Sequence, residues 1–122
     1  MVRSADEFKK RTRQFALRII RLVDGLPSTT AGRHIGGQLL RAGTSVGSNY
    51  RAACRGRSPA EFCAKLGIVE EEADESVYWM ELLIDAGLIR EQLLSSLLKE
   101  ANELVAMVVA SITTARRRKG SR

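Results

Sequence analysis

Apolar side chains recur along this chain at steps of three and four residues, the spacing that gathers them on one face of an α-helix. Phe8, Phe15, Ile19, Leu22 and Leu26 mark a first helix. It opens on Ser4-x-x-Glu7, a capping-box pattern, and is stopped by Gly25 and Pro27. After Ser28-Thr29-Thr30, a second helix carries Ile35, Leu39, Ala42, Val46, Asn49 and Ala53 on its seam. A third begins at Ser58-Pro59-Ala60-Glu61, with a capping serine and a proline suited to the first helical position. Its seam is Phe62, Leu66, Val69, Ala73, Ser76, Met80 and Leu83, and Gly87 suits a left-handed stop. A fourth, from about Arg90 to Ala115, carries Leu94, Leu97, Ala101, Leu104, Val108 and Ser111.

Short connections favour antiparallel neighbours, so the sequence predicts an all-α, up-down-up-down four-helix bundle over residues 1–115. Residues 116–122, with Arg116-Arg117-Arg118-Lys119, read as a basic, disordered tail. Composition agrees. The 122 residues are 44% hydrophobic with only two prolines and 5% aromatic residues, too few turn formers and strand formers for an all-β domain.

Two features exceed what four amphipathic helices need. The second helix contains Gly36, Gly37, Gly43 and Gly47, and an interior glycine costs about 1 kcal/mol relative to alanine. Gly36, Gly43 and Gly47 fall on one flank of the seam, where small residues let another helix approach closely. Leu17, Ile20, Tyr78, Trp79 and Leu82 lie outside the narrow seams. They belong either to a wider core stripe or to contacts between subunits.

The net charge is +6, and its distribution matters more than its size. Residues 1–24 are net +4, and residues 25–58 hold five arginines and no acid. Residues 59–89 hold one lysine against eight acids. Arg33, Arg41, Arg51 and Arg55 gather within about 80° of the second helix, away from its seam, and Lys10, Arg13 and Arg21 cluster on the first. Guanidiniums with no carboxylate among them must meet solvent, an acidic helix or phosphate, and phosphate suits the guanidinium fork best. RNA or DNA is therefore the expected partner, held through its backbone with weak sequence preference. Tyr50 is the one aromatic residue among these arginines, so base stacking should be minor.

Candidate chemistry is sparse. Gly43-Thr44-Ser45-Val46-Gly47 has the letters of a nucleophile elbow, but it falls inside a helix and no histidine follows it. His34 is the single histidine, and the positions five to seven residues before it (Thr29, Ser28 and Pro27) lack the arginine that some helical RNases place four to six intervening residues ahead of their histidine. Glu70-Glu71-Glu72-Ala73-Asp74-Glu75 invites a metal, yet carboxylate di-metal bundles use Glu-x-x-His pairs from separate helices. Cys54 and Cys63 have no metal or disulfide spacing. Leu104 to Ala110 is far too short to span a bilayer, and Met1 to Glu7 has no signal-type apolar core. The expectation is a cytoplasmic, non-catalytic protein without metal or cofactor.

The string Gln38-Leu39-Leu40-Arg41-Ala42-Gly43-Thr44-Ser45-Val46-Gly47-Ser48-Asn49-Tyr50, followed by Arg57-Ser58-Pro59-Ala60-Glu61-Phe62, resembles the signature of the four helix bundle protein family. That family includes proteins encoded within intervening sequences of bacterial 23S ribosomal RNA genes. Its relatives include accessory proteins of diversity-generating retroelements, which form basic pentameric barrels and associate with a reverse transcriptase. The resemblance implies a ring-shaped homo-oligomer, a pentamer. It carries over Arg41, Arg55 and Arg57 as nucleic-acid contacts and gives Ser45 and Asn49 bonds within the bundle. It also raises the alternative of an adaptor for a reverse transcriptase. Many members have Glu-Gly where this chain has Ala52-Ala53, which leaves the junction here more basic.

Overall fold

The computed structural model describes residues 4–120, with side chains through Arg118. Four helices make up the fold: α1 (Ala5–Asp24), α2 (Thr30–Cys54), α3 (Pro59–Asp85) and α4 (Glu91–Gly120). The caps of α1 and α3 form where the sequence places them, and α2 is capped by Thr29. The Ser4 hydroxyl accepts from the Glu7 N–H at 3.1 Å, Thr29 from Gly32 at 3.0 Å, and Ser58 from Glu61 at 3.1 Å. Gly87 adopts φ +71°, and its N–H bonds the Ile84 carbonyl, ending α3 in the left-handed conformation that glycine takes without strain.

The seams meet in one core. Phe8, Phe15 and Ile19 of α1 pack with Leu39 and Val46 of α2, Leu66, Val69, Met80 and Leu83 of α3, and Leu94, Leu104 and Val108 of α4. Trp79 and Leu82 pack against this core as part of a wider stripe, whereas Leu17, Ile20 and Tyr78 are exposed. α4 continues as helix past 115. The disordered tail expected from Arg116 is therefore corrected as far as Gly120: Arg116, Arg117 and Arg118 stand on its last turns, as good helix formers can. Residues 121 and 122 lie outside the described residues.

Three of the α2 glycines serve contact within the subunit, while Gly37 faces open space. Gly36 faces Leu26 and Val23, Gly43 faces Ile19, and Gly47 faces Thr12. A Cβ at Gly47 would sit 3.1 Å from the Thr12 hydroxyl, so the missing side chain lets α1 lie close along α2. One step further along, the Phe8 and Tyr50 rings meet at 4.4 Å.

The candidate nucleic-acid interface

That close approach leaves a shallow groove between α1 and α2, lined by Lys9, Lys10, Thr12, Arg13 and Ala16 from one helix and Thr44, Gly47, Ser48 and Arg51 from the other. Four cations and no carboxylate line it. Lys10, Arg13 and Arg51 reach it from separate helices because Gly47 and Thr12 bring their backbones together. The groove floor is small and hydroxylic, so a bulky ligand backbone can lie close to the helices.

The remaining sequence candidates are placed elsewhere. Arg21 is exposed in the last turn of α1. Arg33 donates to the Ser28 carbonyl at 2.9 Å, at the start of α2. Arg55 is the exposed C-cap of α2. Arg57 lines a second cleft at the α2–α3 junction with Cys54, Phe62 and Arg118. Arg41 departs from the expected acid-free row. It pairs with Glu72 at 3.2 Å and with Glu75, so its charge is met by α3 of its own chain. Among the described residues it is the only one of the eight candidates in an ion pair with a carboxylate.

Lys9 is a groove residue that the sequence reading missed. It stands one helical turn before Arg13, and that spacing places it on the same face. Tyr50 cannot stack on a base from where it lies. It is buried against Phe8, and burial pushes its hydroxyl well above the usual tyrosine range, with the Cys54 thiol adding to the effect. The Ser45 hydroxyl donates to the Arg41 carbonyl at 2.6 Å and the Asn49 amide to the Ser45 carbonyl at 2.8 Å, so both act within α2. The elbow-like string is thus helical throughout.

Glu75 also accepts from the Trp79 indole N–H at 3.2 Å, and the exposed His34 ring stands edge-on to Trp79. Across the opposite seam, Arg11 of α1 donates to Glu100 at 2.7 and 2.8 Å and to Glu103 at 2.5 Å. Those carboxylates, Glu100 foremost, hold its guanidinium charged well beyond the ordinary arginine range. Among the described residues no group of three or more His, Cys, Asp or Glu side chains is placed to hold a metal ion, and no helix is long and apolar enough to cross a membrane.

Fold and groove together define a small all-α bundle with a cationic face. The family model of the 23S rRNA-intervening sequence protein matches residues 6–110, and the chain belongs to that family. It is also similar to a crystal structure of a protein of unknown function from the S23 ribosomal protein family of Bacteroides thetaiotaomicron. The two share 34% sequence identity and a TM-score of 0.81, over 86% of this chain and 97% of that one. The comparison with curated proteins finds no match.

Proposed function

We propose that this is a non-catalytic nucleic-acid-binding bundle protein that holds a phosphate backbone in its α1–α2 groove. The observation that carries the proposal is the groove's charge: Lys9, Lys10, Arg13 and Arg51 converge there with no carboxylate in the lining. Cations that close together without an internal counterion repel one another, and a phosphate chain relieves that repulsion while releasing its condensed counterions. The family's association with ribosomal RNA genes is consistent with such a partner. Backbone contact without an exposed aromatic platform fits weak sequence preference.

An antiparallel, up-down-up-down course belongs to the same proposal. It is supported by the order of contacts, in which Leu26, Ile19, Thr12 and Phe8 meet Gly36, Gly43, Gly47 and Tyr50 in turn. So does assembly into a homo-oligomeric ring, a pentamer by family resemblance, for which the exposed Leu17 and Ile20 offer apolar contact. A second reading, an adaptor for a protein such as a reverse transcriptase, is favoured by Tyr78. It is 56% exposed on acidic α3.

The test is a binding titration of the whole protein against RNA and DNA at two salt concentrations, with light-scattering mass measured alongside. Affinity should fall steeply with salt, and Arg13→Glu or Arg51→Glu should weaken it while helicity is kept. Salt-independent binding, or unchanged affinity in both variants, would overturn the proposal.

A further inference from the structure

The groove's neutral lining has a polarity of its own. The Thr44 hydroxyl donates its proton to the Leu40 carbonyl at 2.7 Å, and the Ser48 hydroxyl donates to the Ser45 carbonyl at 3.2 Å. A hydroxyl has one proton, so while these bonds are kept each oxygen turns its lone pairs to the groove. The cations beside them have the opposite character: Lys9, Lys10, Arg13 and Arg51 can only donate. The groove therefore offers donors at its charged rim and acceptors on its floor.

A bare phosphate chain matches only half of that pattern. Phosphate oxygens accept from the cations but have no proton for Thr44 or Ser48. Deoxyribose adds no donor. Ribose carries a 2′-hydroxyl beside every phosphate, and that group can donate to an acceptor. Thr44 and Ser48 lie one turn apart, about 6 Å along α2, on the groove side of the helix. No aromatic side chain is among the residues that line the groove, so it offers no platform for unstacked bases, which favours a ligand presenting its sugar edge.

We infer that the groove prefers RNA to DNA, and that Thr44 and Ser48 set the preference by accepting hydrogen bonds from ribose 2′-hydroxyls. The inference rests on the backbone-binding reading above, and the experiment separates the two. The full-length protein is titrated at one fixed salt concentration with three short duplexes of one sequence: RNA, DNA, and RNA bearing 2′-fluoro in place of 2′-hydroxyl. The fluoro duplex keeps the RNA-like helix and loses the donor.

RNA should bind about three- to tenfold tighter than the fluoro duplex, the range that one or two net hydrogen bonds supply. In Thr44→Val combined with Ser48→Ala that gap should close. Equal affinity for RNA and fluoro duplexes in the wild type would overturn the inference and leave the backbone reading intact. A gap that persists in the double variant would overturn the role of the two hydroxyls. Failure to bind all three duplexes would overturn both readings.

Discussion

Ile19 of α1 closes over Gly43 of α2 so tightly that a Cβ at position 43 would lie 2.8 Å from Ile19 Cγ1 and 2.9 Å from Cγ2. Ile19 is fully buried and branched at Cβ, so it has no flexible end to move aside. Gly43→Ala would gain about 1 kcal/mol of helix propensity and lose about 1–3 kcal/mol to overpacking. A net loss of about 1 kcal/mol is expected in urea denaturation. Gly37 is the internal control, because nothing lies within 4 Å of its added Cβ. Gly37→Ala should stabilise by about 0.5–1 kcal/mol. The same chemistry should thus give opposite signs two turns apart, and matching signs would contradict the α1–α2 packing described above.

The Arg11 cluster ties α1 to α4 through partly buried, charge-assisted bonds to Glu100 and Glu103, with the Met107 sulfur accepting a further N–H. Its guanidinium side chain is 33% exposed, which screens part of the interaction. Arg11→Ala should cost about 1–2 kcal/mol, because it also leaves Glu100 without its donor. Arg11→Lys should recover only part of this, since an ammonium cannot fork across two carboxylate oxygens. Full recovery by lysine in denaturant titrations would show that charge alone matters there.

Tyr50 gives a pH signature. Its hydroxyl titrates well above the ordinary value of 10.0, chiefly because burial disfavours the phenolate. Below that ordinary value both the folded and unfolded chains hold the proton, so the group adds no pH dependence. Above it the unfolded chain loses the proton first, and stability falls as pH rises towards the folded value. The stability of Tyr50→Phe relative to wild type should therefore improve steadily above about pH 10 and stay constant below it. Thermal melts of the two proteins between neutral and alkaline pH would check this, and a pH-independent difference would refute it.

The periodic side chains made the helices legible. Leu39, Val46, Leu66, Met80 and Leu104 sit in the core because each falls on a seam that a 3.6-residue repeat defines. Thr12 was not legible. It is a polar residue at 1% exposure, and its burial follows from Gly47 on another helix. The groove was legible only in part. Lys10, Arg13 and Arg51 carry a one-sided charge, and the spacing of Lys9 to Arg13 was there to be read, but which helix flanks meet is a tertiary fact, and Thr44 and Ser48 acquire a role only from it. Arg41 shows the converse. The wheel places it with Arg51, yet partners 31 and 34 residues away in sequence take up its charge.

That diversion of Arg41 separates the fold's arginines from those of the groove. Arg41→Ala removes ion pairs whose arginine is about half exposed, so the stability cost should stay near 1 kcal/mol or below. Its effect on nucleic-acid affinity should be under about twofold, because Glu72 and Glu75 already balance the charge that is lost. Arg51→Ala should leave stability unchanged, since among the described residues no hydrogen bond or ion pair of the fold uses its side chain. It should instead flatten the dependence of log affinity on log salt by about one unit, the mark of one lost phosphate contact. Titrating wild type, Arg41→Ala and Arg51→Ala across several salt concentrations tests both expectations together. If Arg41→Ala flattens the slope as much as Arg51→Ala, the α3 carboxylates release Arg41 when nucleic acid binds, and the bound surface extends from the groove to the α2–α3 edge.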